Sequence, residues 1–203
     1  MVTLLLIRHG HCPHVGNYLA GRSPGIHLDN KGMREVRSLA DRIRRIHLDE
    51  IVSSPLERSV ETASVIAEGR GLEVKISDAV TEVDCGEWTG KSFGELEKDP
   101  VWISFNKYRS ITRIPGGEMI IEVLSRMSRF MEEKRREGEG VVAIVSHGDP
   151  IRAVFTHYLG LPVDFMSRFE VHTSSVSVIT LDDYGASLKC LNHTGTLNEK
   201  GLA

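Results

Sequence analysis

Cysteine is scarce in this chain: there are three (Cys12, Cys85 and Cys190), far apart and without a CxxC pair. An odd, scattered set builds no disulfide framework and suits a reducing compartment. Long apolar runs are missing too. A membrane helix needs roughly 20 consecutive apolar residues, and nothing here approaches that. The N-terminal run Val2–Ile7 passes straight into Arg8-His9-Gly10, so it is also too short for a secretory signal. The expected location is the cytoplasm, with no membrane partner. A large charge of one sign is lacking as well, and a net charge of −3 gives no general basis for binding nucleic acid. No repeat, low-complexity tract or linker interrupts the sequence. Its 203 residues can bury roughly 70% of their unfolded surface, and residues 1–203 are expected to form a single domain.

What is present is an alternation of two hydrophobic patterns. Val2–Ile7, Glu50–Ser53 and Val141–Val145 are short continuous apolar runs, as in strands buried on both faces. Between them lie amphipathic helices, over about 31–46 and over 118–137, the latter closed by Gly138. Ser54-Pro55-Leu56-Glu57 reads as a helix start, with Ser54 as cap and Pro55 at the first position; that helix runs to about Glu68. Another helix follows Ser146-His147-Gly148 and reaches about Leu159. Glu73–Ile76 and Ala79–Val83 are strand candidates, as are Ser175–Leu181 and, at an edge, Leu188–Leu191. Segment 84–117 reads as loops and short helices inserted over the sheet. Strands alternating with helices imply an α/β fold, a three-layer α/β/α arrangement around a mostly parallel sheet.

Three of these strands end in residues unsuited to a core. The first ends in Arg8-His9-Gly10, the second meets a helix carrying Arg58 in its first turn, and the third ends in Ser146-His147-Gly148. In an open α/β sheet, ligands bind beyond the carboxyl ends of the strands, where helix N-termini offer N–H groups. Two arginines and two histidines therefore converge on one place. Guanidinium forks suit phosphoryl oxygens, and an imidazole can attack phosphorus or donate a hydrogen bond. Glycines at 10 and 148 permit close backbone approach to a ligand.

In order along the chain, Leu6-Ile7-Arg8-His9-Gly10, Ser53-Ser54-Pro55-Leu56-Glu57-Arg58, Glu82-Val83-Asp84-Cys85-Gly86-Glu87-Trp88-Thr89-Gly90, Pro115-Gly116-Gly117-Glu118 and Ser146-His147-Gly148 resemble the histidine phosphatase superfamily, the phosphoglycerate mutase-like fold. The resemblance is to its phosphatase branch and implies phosphomonoester hydrolysis on a small phosphorylated substrate, without metal or other cofactor. It makes His9 the nucleophile, phosphorylated in turnover, with Arg8, Arg58 and His147 completing the phosphate pocket. Glu82 becomes the proton donor, a role for which Asp84 and Glu87 are neighbouring rivals. Asn17 stands near the family's phosphate-contacting Asn but out of its usual register, and Gly21-Arg22 resembles the next element. Gly148, Arg109 and Arg113 are further substrate-binding candidates, the last two within the aromatic and basic stretch 102–113. Mutases of the family carry Arg directly after the catalytic Glu; Val83 stands there, which favours hydrolysis.

Three other readings stay open at this point. One is a cofactor-dependent phosphoglycerate mutase. A second is a metal-dependent hydrolase using His9 and His11, with His14, His147 and Asp149 as further ligands; Arg8 and Arg58 would repel its cation. The third is a non-catalytic module that binds phosphorylated ligands. The oligomeric state is open, a homodimer being one option.

Overall fold

A computed structural model describes residues 1–197 of the chain. Its centre is a six-stranded sheet built from β1 (Val2–Arg8), β2 (Glu50–Ser53), β3 (Val74–Ile76), β4 (Gly140–Ser146), β5 (Val176–Asp182) and β6 (Gly185–His193), in the order β3-β2-β4-β1-β5-β6. The first four in that order are parallel, while β5 runs antiparallel to β1 and β6 antiparallel to β5. The continuous apolar runs follow from burial of both faces. Leu4, Leu6, Val142 and Ile144 point into one core cluster; Leu5, Ile7, Ala143 and Val145 point into the other.

Each face is covered by helices. α1 (Asn30–Arg42) and α2 (Glu57–Ala67) bring Leu39, Ala63 and Ile66 to one side. α5 (Ile120–Glu137) and α6 (Gly148–Tyr158) bring Met127, Met131, Ile151 and Val154 to the other. Between β3 and α5 lie two short helices, α3 (Phe93–Leu96) and α4 (Pro100–Lys107). They enclose Trp88, fully buried, and pack it with Phe105 and Leu96 against Val123 and Ala153 of α5 and α6. The inserted segment thus shares a core with the two helices it overlies. No helix among the described residues is long and apolar enough to cross a membrane.

Four local expectations need correction. α2 starts at Glu57 with Leu56 as its cap residue, not Ser54; the Ser54 hydroxyl lies 2.8 Å from a ring nitrogen of His147 instead. Residues 79–83 form no strand. The chain turns through a 3₁₀ segment, Asp78–Val80, because the Ser77 hydroxyl accepts from the Ala79 N–H and diverts the backbone. α1 closes at Arg42, the residues up to Ile46 continuing only as turns. The last strand, β6, is longer than residues 188–191: an Asp182 carboxylate oxygen accepts from the N–H of Tyr184 and Gly185, tightening the hairpin.

Candidate active site

The carboxyl ends of β1 and β4 are neighbours in the sheet, with Arg8 beside Ser146 in register. His9 and His147, one residue beyond, therefore meet: their rings pack edge to face with centroids 5.1 Å apart. Arg58 arrives from the first turn of α2 and is 1% exposed. These groups stand at one end of a cleft of about 330 Å³ whose other walls come from residues 12–21, from the inserted segment and from the start of α6.

His9 is held in one tautomer. Its Nδ1 lies 2.7 Å from the Gly10 carbonyl oxygen, and a carbonyl only accepts, so Nδ1 carries the proton and Nε2 keeps its lone pair. Burial, followed by the charges of Arg58 and Arg8, holds the His9 pKa well below its ordinary value. The ring is neutral at pH 7. His147 is fully buried and its pKa is likewise well below normal, first through burial, then through His9 and the two arginines. Its Nε2 faces the hydroxyls of Ser54 and Ser59, at 2.8 and 3.3 Å.

Both arginines are anchored by backbone carbonyls. Arg8 donates to Val171 O at 2.6 Å and Arg58 to Gly21 O at 2.9 Å. Three buried nitrogens in this corner, Arg8 Nε, Arg58 Nη1 and His147 Nδ1, have no hydrogen-bond partner among the described residues. Buried donors of this kind are costly unless something accepts from them, and a phosphoryl group offers several acceptor oxygens. Gly148 lies against the Arg8 guanidinium, where a Cβ would sit in ordinary contact, 3.5 Å from its carbon.

Glu82 comes from the loop after the Asp78–Val80 turn. One of its carboxylate oxygens lies 3.8 Å from His147 Nδ1, and the other accepts from the Val83 N–H at 2.9 Å. Burial, and then the charge of Asp149, push its pKa up to about 7, against the opposing pull of Val83 N–H, Arg58 and Arg8. A carboxyl with that value both gives and takes a proton near neutral pH. The loop position is fixed from behind. Arg22 Nε and Arg126 Nη2 donate to the Glu82 carbonyl oxygen at 2.9 and 3.0 Å, and Glu118 pairs with both guanidinium groups.

Of the residues expected here, the structure brings together Arg8, His9, Arg58, Glu82, His147, Gly21, Gly148 and Arg109. Three take other places. Asn17 is exposed, its amide donating to Pro13 O at 3.3 Å, because the turn through residues 13–17 carries it outward. Arg113 is exposed and pairs with Glu122 at the start of α5. Arg22 grips the Glu82 backbone rather than facing the cleft. His11 also turns away from His9, with its Nδ1 2.7 Å from an Asp29 carboxylate oxygen. Among the described residues no three His, Cys, Asp or Glu side chains gather as a metal site.

Three residues around the site have roles that the sequence pattern does not assign. Ser54 and Ser59, which orient His147, carry no sequence signal apart from helix capping. Arg152 had one: it stands three residues after Asp149 in the first turn of a helix that opens on the site, and the pair are joined at 2.9 Å.

Comparison with known proteins agrees with this geometry. The family model described as histidine phosphatase superfamily (branch 1) matches residues 4–194. Phosphoserine phosphatase 1 of Hydrogenobacter thermophilus is 34% identical over 207 residues, covering 98% of this chain and 96% of that protein. The 2,3-bisphosphoglycerate-dependent phosphoglycerate mutase of Thermoplasma acidophilum is 25% identical over 184 residues, covering 90% of this chain and 88% of its own. The crystal structure of the α-ribazole phosphatase from Shigella flexneri superposes with a TM-score of 0.87 at 24% identity, over 98% of this chain and 100% of that one, a likeness of fold. This chain belongs to the histidine phosphatase superfamily and is a histidine phosphatase of its first branch.

Proposed function

We propose that the enzyme hydrolyses small phosphomonoesters through a phosphohistidine on His9, with Glu82 as proton donor and then as base, and with no metal ion or organic cofactor. The observation that carries this reading is the fixed, neutral His9, whose Nδ1–H is spent on Gly10 O while Arg8 and Arg58 flank the ring. In the first half-reaction Nε2 attacks phosphorus, the ester P–O bond breaks, and protonated Glu82 gives its proton to the departing oxygen. Arg8, Arg58 and His147 hold the three equatorial oxygens, the main task in phosphoryl transfer. In the second, ionised Glu82 takes a proton from water as it attacks phosphorus. The P–N bond breaks, and neutral His9 and inorganic phosphate are regenerated.

The name of the Hydrogenobacter relative makes O-phosphoserine the first substrate to try. The Thermoplasma relative keeps the mutase reading in view, but Val83, where the family's mutases carry Arg, supports hydrolysis. The test is rapid quench with a ³²P-labelled phosphomonoester in the presence of a chelator. Acid-labile, alkali-stable label on the peptide containing His9, together with release of inorganic phosphate, is expected. Label on His147, Cys12 or a serine, or activity that the chelator abolishes, refutes the mechanism. Faster transfer to 3-phosphoglycerate than to water refutes the hydrolase reading.

A further inference from the structure

We propose that Arg109, Arg152 and Asp149 form a second subsite that binds a carboxylate, so that the preferred substrates are short phosphomonoesters of carboxylic acids. This rests on the phosphatase reading above and narrows it to a substrate class. Among the described residues, those lining the cleft include the arginines 8, 58, 109 and 152 against two carboxylates, Glu82 and Asp149. Arg8 and Arg58 belong to the phosphoryl end. Arg109 and Arg152 then share Asp149, at 3.5 and 2.9 Å, which leaves one positive charge in this wall without a counter-charge among the described residues.

Such a surplus is expensive in a partly buried wall. Arg109 is only 8% exposed, and the Nε atoms of both arginines are buried with no hydrogen-bond partner among the described residues. Arg109 is also held still: it donates to the Asn106 side-chain oxygen at 2.7 Å and lies over the Phe105 ring, 4.7 Å from its centroid. Arg152 is looser, its side chain 26% exposed beside the cleft. A preorganised guanidinium and an adjustable one suit a planar anion. Asp149 holds the two through different oxygens, Oδ2 for Arg109 and Oδ1 for Arg152.

Gly148, next to the Arg8 guanidinium, begins α6, and Arg152 follows on the same helix, so the phosphoryl corner and the second pair of arginines line one cleft.

The experiment compares kcat/KM for two acids and their decarboxylated counterparts: O-phosphoserine against phosphoethanolamine, and 3-phosphoglycerate against 2-hydroxyethyl phosphate. Wild type should prefer each acid by about 10- to 100-fold, as expected where a buried charged partner is left unpaired. In Arg152→Gln the preference should fall below about threefold, mainly through KM, with Arg152→Lys between the two. No wild-type preference, a preference untouched in Arg152→Gln, or an equal loss on acid and counterpart (the mark of a merely structural tie) would each overturn the subsite. The two readings separate cleanly. Phosphohistidine on His9 without acid preference sinks the subsite alone, whereas acid preference without phosphohistidine sinks only the mechanism.

Discussion

Replacing Glu82 with Gln removes the titrating proton while keeping size and one hydrogen-bond donor. In the folded enzyme the carboxyl has a pKa of about 7, raised chiefly by burial, so about half of the molecules hold the proton at pH 7. At pH 8 the protonated share is about a tenth, and each further unit costs another factor of ten. For alkyl phosphates, whose leaving oxygen must be protonated, kcat/KM should therefore fall along an alkaline limb centred near pH 7. The acid limb from His9 lies well below its ordinary 6.5, although the second ionisation of the substrate near pH 6 overlaps it. Glu82→Gln should abolish the alkaline limb and lower single-turnover phosphoryl transfer from an alkyl phosphate by about 10²–10⁴-fold. Transfer from an aryl phosphate, read as the burst of phenol, should fall less than about tenfold, since phenolate leaves unaided. The later dephosphorylation still lacks its base, so phosphohistidine should accumulate. Equal losses in the two bursts would refute proton donation by Glu82 and turn attention to Glu87. Stability supplies an independent check of the sign. The folded carboxyl keeps a proton that the unfolded chain, with a pKa of about 4.3, releases. Wild-type stability should then decline as pH rises from about 4.3 to about 7 and level off beyond. Urea midpoints of Glu82→Gln should lack that decline.

Two further substitutions test how the site is held. Glu118→Gln weakens the carboxylate that pairs with Arg22 and Arg126 behind the Glu82 carbonyl; kcat on alkyl phosphates should drop about tenfold with KM nearly unchanged, and a matching drop in the aryl burst would show that the network acts on the fold instead. Gly86→Ala places a Cβ 2.2 Å from the Pro115 carbonyl oxygen at a φ of +44°, so chemical denaturation should show a loss of about 2–4 kcal/mol; a loss under 1 kcal/mol would mean that the 84–117 segment shifts freely over the sheet.

The strands were legible because a run such as Leu4-Leu5-Leu6-Ile7 must be buried on both sides, and its two faces do feed separate core clusters. The convergence of Arg8, His9, Arg58 and His147 was legible for a related reason. Parallel strands deliver their carboxyl ends to one edge, so polar residues that close separate buried runs become neighbours whatever their distance in sequence. Side-chain destinations inside loops follow no such rule. Asn17 and Arg113 were credible by type and position, yet a turn and an ion pair with Glu122 take them elsewhere. Ser54 looked like a helix cap because its local context, Ser-Pro-x-Glu, is the same whether the hydroxyl caps a helix or orients a histidine far along the chain.

The arrangement around Glu82 shows why one carboxyl needs so many others. A pKa near 7 requires desolvation, but desolvation alone would favour a loop that swings the group back into water. Arg22 and Arg126 oppose that escape by donating to its backbone oxygen rather than to its carboxylate. Had they paired with the carboxylate itself, their charge would have driven its pKa down and fixed it as a base. Glu118 accepts from both guanidinium groups and offsets one of their two positive charges. Position and proton affinity are thus set by different atoms of the same residue, as the proposed roles of one side chain, acid in the first half-reaction and base in the second, require.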